Sequence, residues 1–317
     1  MKPISIDPRV DFACHLLLGH PEHPKITLHF LNAILRPDSP ITQVTILNPI
    51  VGREFDGDKL AILDILATDI DGRMFNIEVQ RAIQAGLAKR LTYYVSNQLV
   101  GQIGEGDGYH LLRPSIGICI LDASLFPKLP SYCHDFQLRT RDGLLLSDCL
   151  QIHLLELPKY RKLNHNKSII DPRDQWIHFF RYAKGELPTT LLASLPDPIF
   201  KEAVGVLEMI SRSPAERSAY EARLKSQRDE QARLDYAIEL GKTEGKAEGK
   251  AEGKAEGKAE GKAEGKAEGE LFGRLTTLQE VLDLPVLSDA ELSKFSISEL
   301  QTLASNLQEL LRNRRSK

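Results

Sequence analysis

The sequence is poor in cysteine, has no long hydrophobic run and carries no excess of positive charge. Its four cysteines lie far apart and form no Cys-x-x-Cys pair, so neither a disulfide framework nor a zinc ribbon is indicated. No segment approaches the roughly 20 apolar residues of a membrane span, and the N-terminal segment has no apolar core typical of a signal peptide. We therefore expect a cytoplasmic protein with reduced cysteines and no membrane partner.

The charge balance limits how the protein can bind nucleic acid. The formal net charge is -3 at pH 7, which argues against binding by bulk positive charge and leaves room for a localised contact. With 317 residues, of which 42% are hydrophobic, the chain can bury one substantial core and still have length left over.

The first half of the chain predicts an α/β core. Amphipathic helices are predicted at residues 11–18 and 24–35, with Asp11 as the N-cap of the first and Gly19 as its stop. Strands are predicted at residues 42–47, 59–68, 73–80, 115–122, 134–140 and 150–157. A helix is predicted at residues 83–103, with Ile83, Leu87, Leu91 and Val95 on its buried stripe.

Composition divides the chain into four predicted regions. They are a core at 1–157, a basic and aromatic helical extension that packs on it at 158–240, a repeat at 241–269 and a small helical module at 270–317. The repeat, GKAEGKAE, has no fixed apolar stripe, and each glycine costs a helix about 1 kcal/mol relative to alanine. We expect a solvated spacer, and composition leaves open whether it is helical or disordered.

The segment LDILATDIDGRMFNIEVQ reads as a β-hairpin with an acid on each strand, and its turn can close in two ways. A two-residue turn at Asp71 and Gly72 would leave Asp64 and Glu78 on opposite faces. A three-residue loop, with Gly72 left-handed, would place Asp64 opposite Glu78 on one face.

The three-residue loop is favoured because it pairs Asp69 with Arg73 as ions and Ile65 with Ile77 as apolar neighbours. Directly opposed carboxylates repel one another unless positive charge lies between them, and a divalent cation would supply that charge. Gln80 follows on the same face as the second acid. The sequence therefore predicts a two-acid site on this hairpin.

These residues resemble a known family. Asp64 and Glu78-x-Gln80 are similar to the Asp…Glu-x-Lys core of the PD-(D/E)xK nuclease superfamily. The flanking segments narrow the resemblance to the recombination-promoting nuclease/transposase family, over roughly residues 9–240. These segments are DFACHLLLG, FLNAIL, KRLTYYVSNQLVGQIGEGDGYHLLRPSIGICILD, LELPKY and DQWIHFF.

The resemblance implies a restriction-endonuclease-like fold, a mixed central sheet flanked by helices, followed by a helical C-terminal region. It implies a metal-dependent DNA endonuclease in which Asp64, Glu78 and the backbone carbonyl of Val79 bind Mg²⁺, with Mn²⁺ as an alternative and no organic cofactor. Gln80 would occupy the catalytic lysine position. DNA is the expected partner, and self-association into a homo-oligomer is left open.

Further residues gain expected roles from the resemblance. Arg90 and Tyr94 resemble the family's Arg-x-x-Tyr-Tyr element and would contact a phosphate or brace Glu78. Asp11 corresponds to an acid that assists the metal, and Lys59 would approach the same pocket.

The chain departs from the family pattern at three places. Leu63 stands where a proline is usual, Gln80 where the superfamily has lysine, and Cys14-His15 where an aromatic residue and a lysine are expected. Because glutamine carries no charge to orient water or steady a phosphate, the alternative is a catalytically decayed DNA-binding or protein-assembly factor that works through its repeat and helical tail. The two functions differ in whether Asp64 and Glu78 hold a metal.

Other candidate sites are weaker. A zinc site is disfavoured because its candidate ligands fall on predicted strands at no standard spacing; these are Cys133, His134, Cys149 and His153. The glycine-rich segment 101–108 follows a helix and not a strand, so it predicts a connection and not a phosphate loop. One basic stretch either lines DNA phosphates or forms a solvated surface. Its residues are Lys159, Arg161, Lys162, Lys167, Arg173 and Arg181, with Tyr160 and Trp176.

Overall fold

The computed structural model describes residues 2–47, 65–161 and 168–315. The helices are α1 (Asp11–Leu18), α2 (Pro24–Leu35), α3 (Leu87–Val100), α4 (Pro172–Tyr182), α5 (Pro188–Ser194), α6 (Ile199–Arg212), α7 (Pro214–Val281), α8 (Asp289–Leu292) and α9 (Ile297–Arg315). The strands are β1 (Val44–Ile46), β2 (Ile65–Asp69), β3 (Met74–Gln80), β4 (Ser115–Leu121), β5 (Cys133–Arg139) and β6 (Leu145–Glu156).

The described strands form one mixed sheet in the order β1-β2-β3-β4-β6-β5. The central pairs, β3 with β4 and β4 with β6, are parallel, and the outer pairs are antiparallel. Parallel neighbours need a crossover, and α3 supplies it between β3 and β4. The α/β fold predicted from the sequence, a mixed sheet with flanking helices, is confirmed.

Successive side chains of the central strands enter two different apolar layers. Ile77 and Ile118 point into the main core, where the fully buried Trp176 of α4 packs among aromatic rings from α2 and α6. Cys119 belongs to a smaller core on the opposite face, beneath Leu91 of α3. The sheet is therefore covered by helices on both faces, which is why β4 is buried along its whole length.

Helix α3 begins four residues later than the sequence predicts. Gly86 immediately precedes it with φ of 80°, a left-handed conformation that a right-handed helix cannot contain. Ile83 therefore lies outside the helix and is 43% exposed, so its predicted place on the buried stripe is wrong. Leu87, Leu91 and Val95 are buried as predicted.

The close approach of α3 to the sheet depends on one glycine. A Cβ atom added at Gly117 of β4 would lie 2.7 Å from Cγ1 of Val95, well inside van der Waals contact. The absence of a side chain at Gly117 thus allows α3 to pack directly on β4. This packing determines how closely the side chains of α3 approach the sheet, including β3, the strand that carries Glu78 and Gln80.

The chain divides into two compact units, Met1–Gln231 and Ala232–Lys317. The repeat at 241–269, which composition left open between helix and disorder, is helical and almost wholly exposed as part of α7. The second unit has its own leucine-rich core, formed by Leu275, Leu278, Leu282, Leu292, Leu300, Ala304 and Leu307. No helix among the described residues is long and apolar enough to cross a membrane. The predicted domain boundaries stay predictions.

Candidate active site

The β2–β3 hairpin closes with the three-residue loop favoured by the sequence. Gly72 is left-handed, with φ of 80°, and the backbone N–H of Arg73 donates to Oδ1 of Asp69 at 2.9 Å. The guanidinium of Arg73 donates through Nε to Oδ2 of the same carboxylate at 2.5 Å. The ladder then pairs Ile65 with Ile77, so the predicted register is confirmed as far as Ile65.

The first predicted acid lies just beyond this point. Asp64 is outside the described residues, and so are Lys59 and Leu63. Their predicted roles therefore stay predictions.

Glu78 is a charged residue in a buried position on β3. It is 4% exposed and pairs in register with Cys119 of β4, on the face covered by α3. Its Oε2 accepts a hydrogen bond from Nε2 of Gln80 at 3.2 Å, and the Nη2 atom of Arg90 lies 3.7 Å from the same oxygen. Burial of an ionised carboxylate is costly unless charge and hydrogen bonds compensate it, and these two side chains provide both.

Arg90 connects Glu78 to a more distant part of the chain. Its Nη1 atom donates to Oε1 of Gln84 at 2.6 Å, and Nε2 of Gln84 donates to Oε1 of Glu230 on α7 at 3.0 Å. The guanidinium is therefore held on both sides. Tyr94 lies one turn further along α3 with a half-buried side chain.

The backbone orientation of β3 determines where the Val79 carbonyl points. The N–H of Met74 donates to the carbonyl of Pro114 at 2.9 Å, and the carbonyl of Gln80 accepts from the N–H of Asp122 at 2.8 Å. Backbone groups of successive strand residues point to alternate sides. The carbonyl of Val79 therefore points away from β4, toward the β2 side of the strand.

Asp11 is part of α1 and not its cap. The N-cap position belongs to Val10, and Oδ1 of Asp11 accepts from the adjacent N–H of Phe12 at 2.7 Å, so the predicted capping role is wrong. Burial raises the pKa of Asp11, although the positive charge of Arg223, 4.0 Å away, partly opposes the rise. The negative charge of Glu230 raises the pKa further.

Sequence reasoning missed the contribution of α7. Glu230 and Arg223 both come from this helix, and 146 residues separate Glu230 from its partner Gln84. No local pattern links positions so far apart in the chain. Only the packing of the first part of α7 within the first compact unit identifies them.

A second ionic network lies where β3 and β4 end. Arg9 contacts Oδ2 of Asp122 through Nη1 and Oδ1 of Asp7 through Nε, both at 2.9 Å. Burial opposes ionisation of Asp7, but hydrogen bonds and charge from Arg9 outweigh it, so the pKa of Asp7 is lowered. The backbone of Asp122 also binds the carbonyl of Gln80. This network therefore anchors the end of the strand that carries the predicted site.

The competing sites found in the sequence have structural explanations. His153 Nδ1 lies 2.7 Å from Oδ1 of Asp135 on the neighbouring strand β5, so its ring takes part in a hydrogen bond between strands. Three members of the basic stretch bind protein groups: Lys159 pairs with Glu156, Arg173 donates to the carbonyl of Ile34, and Arg181 donates to that of Leu157. Trp176 is fully buried. Lys162 and Lys167 lie outside the described residues.

The donors available on β3 suit a hard divalent cation. A carboxylate, from Glu78, and a backbone carbonyl, from Val79, are the oxygen ligands that Mg²⁺ prefers. Residues 2–47, 65–161 and 168–315 contain no cluster of three or more His, Cys, Asp or Glu side chains arranged for a metal. The predicted partner acid, Asp64, falls outside these ranges.

Comparison with known proteins identifies the family. The family model described as PD-(D/E)XK nuclease family transposase matches residues 8–237, which include Asp11, Glu78, Gln80, Arg90 and Tyr94. Neither the curated proteins nor the solved structures gave a significant match. PD-(D/E)XK nucleases generally use divalent metals, and DNA is the substrate that the family implies. With most of its length matched and an α/β fold of the restriction-endonuclease type, the chain belongs to the PD-(D/E)XK nuclease family transposases and has a nuclease or transposase-like role.

Proposed function

We propose that this protein is a DNA endonuclease that requires Mg²⁺, or Mn²⁺ in its place, and hydrolyses phosphodiester bonds in the cytoplasm during recombination or the movement of mobile elements. The observation that carries the proposal is the buried carboxylate of Glu78 on β3, held by Gln80 of the same strand and by Arg90 of α3. A buried ionisable side chain with a specific charge partner is a recognised mark of functional sites.

The metal would be held by Asp64, Glu78 and the carbonyl of Val79. When bound, Mg²⁺ would lower the pKa of a coordinated water and offset the negative charge that develops on the phosphate.

The chain's own side chains would position these groups. The amide of Gln80 donates to Glu78 and holds one carboxylate oxygen in place. Gln80 is neutral at the lysine position, so we assign to Arg90 the positive charge beside the acid. Gln84 and Glu230 restrain Arg90, and in our proposal Asp11 and Tyr94 support the site from α1 and α3.

Cleavage of supercoiled plasmid by the purified full chain tests the proposal, with Mg²⁺, Mn²⁺ or EDTA present. Asp64→Asn and Glu78→Gln keep the size of each side chain and remove its charge. Glu105→Gln makes the same chemical change at an exposed position after α3 and is the matched control. We expect metal-dependent nicking by the wild type and the control, and a loss of about a hundredfold or more in both site variants.

Two results would contradict the nuclease assignment. One is a folded wild-type protein that leaves the plasmid intact with either metal. The other is equal cleavage by the wild type and both site variants, which would indicate a contaminating nuclease. DNA binding that persists without cleavage or Mg²⁺ binding would favour the decayed DNA-binding factor.

A further inference from the structure

Strand β5 lies at one end of the sheet that the structure describes, and it lacks two common protections of an edge strand, proline and lysine. Among the residues that the structure describes, β5 pairs with β6 alone. Edge strands are often blunted by proline, by charged side chains, especially lysine, or by a bulge. β5 spans seven residues without proline or lysine, and it exposes Phe136 at 43% and Leu138 at 44%. Its free side is therefore chemically suited to accept another strand.

Both irregularities in the β5–β6 ladder leave extra residues on β6 and none on β5. Gln137 pairs with Gln151, whereas the next residue, Leu138, pairs with Ser147, so three residues of β6 are left over between them. Arg139 then pairs with Leu145, which leaves over Leu146 of β6. β5 keeps the regular alternation that a new partner strand requires.

Two hydrogen bonds determine which backbone groups of β5 face outward. The carbonyl of Tyr132 accepts from the N–H of Glu156 at 2.7 Å, and the N–H of Thr140 donates to the carbonyl of Leu144 at 2.9 Å. Even-numbered residues therefore direct their backbone groups toward β6. Because the direction alternates, the N–H and C=O groups of the odd-numbered residues face the open edge, and these residues include Asp135, Gln137 and Arg139.

The sequence of β5 is complementary to itself in the antiparallel direction. When two copies pair with Gln137 at the two-fold axis, Asp135 of each copy lies opposite Arg139 of the other, and Phe136 lies opposite Leu138. Asp135 is 48% exposed beyond its contact with His153, so its carboxylate is accessible. Pairing centred on Asp135 or Arg139 would instead oppose like charges.

We propose that β5 is a homodimer interface, through which two copies of this chain join their sheets by antiparallel pairing centred on Gln137. The pairing satisfies the outward backbone groups, covers Phe136 and Leu138 and forms the Asp135–Arg139 ion pair twice. It does not depend on nuclease activity, so it stands or fails separately from the proposed function.

A proline substitution tests the backbone pairing. Because the N–H of Gln137 faces away from β6, Gln137→Pro removes a donor to the partner without breaking the ladder within the chain. Gln137→Ala keeps that N–H and is the matched control. In light scattering of the full chain at tens of micromolar, we expect the mass of the Gln137→Pro variant to be half that of the wild type and of Gln137→Ala, with unchanged circular dichroism.

Charge reversal tests the register. Arg139→Asp places two acids opposite each other in a homodimer, and Asp135→Arg places two arginines there, so each variant alone should dimerise at least tenfold more weakly. A mixture of the two variants restores both ion pairs, and we expect the dimer to reappear. A monomeric wild type, a Gln137→Pro variant that keeps the wild-type mass, or folded charge variants that do not associate when mixed would each overturn the proposal.

Discussion

The guanidinium of Arg90 lies beside the carboxylate of Glu78, with 3.7 Å between Nη2 and Oε2, while its Nη1 atom is bound to Gln84. The arginine thus combines a charge contact to a buried acid with a second anchor that fixes its direction. A side chain held in this way can position the acid without touching the reacting bond.

We expect Arg90→Ala to lower kcat/KM for plasmid cleavage by about tenfold to a hundredfold, because Glu78 loses its neighbouring charge. Arg90→Lys keeps the charge without the two-sided anchor and should be intermediate. Lys89→Ala removes a charge from the exposed side of the same helix and is the control. Wild-type cleavage by folded Arg90→Ala would show that the contact has no part in the reaction.

Gln80 gives a second test of the same carboxylate. Gln80→Met keeps the length of the side chain but loses the 3.2 Å hydrogen bond to Glu78, so we expect cleavage to fall by about tenfold. Gln80→Lys restores both a donor and the charge usual in the superfamily. It should cleave faster than Gln80→Met in the same plasmid assay. A lysine variant that is no better than the methionine variant would argue against a donor role for this position.

Gly117→Ala should destabilise the first compact unit by about 1–3 kcal/mol, because the new methyl group overlaps the Val95 side chain against β4. The measurement is the free energy of unfolding in urea. Gly205→Ala is the control, since nothing lies within 4 Å of a Cβ atom there and the residue is exposed on α6. It should be neutral or stabilise the protein by up to about 1 kcal/mol. Equal effects at the two glycines would contradict the close packing of α3.

The buried Asp7 should make stability depend on pH in the acid range. Its pKa is lowered in the folded protein, whereas an unfolded aspartate titrates near about 3.9. The stabilisation is therefore complete above the unfolded pKa and is lost as the pH falls through the folded pKa. Asp7→Asn should cost about 3 kcal/mol at pH 7, since it breaks a buried ion pair.

The difference between wild type and Asp7→Asn should shrink below about pH 4. Urea unfolding at pH 7, 5 and 3.5 measures it. Asp71→Asn, whose side chain is 70% exposed beside Arg73, should change stability by less than about 1 kcal/mol at every pH. A constant difference for Asp7→Asn across the series would show that its carboxylate is not the titrating group.

Local patterns predicted the hairpin well because its determinants lie close together in the chain. Gly72 permits a left-handed turn, and Asp69 and Arg73 are four residues apart. The alternation of side chains along a strand then determines which face of the sheet each later residue of β3 occupies. The start of α3 was mispredicted although its cause is also local. The spacing of apolar residues alone predicted a helix from Ile83. The helix begins only at Leu87, because Gly86 is left-handed.

The sequence by itself determined the α/β pattern, the loop of the hairpin and the positions of Glu78 and Gln80 on one strand face, because turn chemistry and a two-residue period are local properties. Only the tertiary structure decided that Arg90 points at Glu78, that Glu230 restrains it through Gln84, and that β5 is the last strand of the sheet in the described part of the chain. These relationships join segments far apart in the chain. They arise from burial and strand pairing across the whole sheet, which no window of sequence contains.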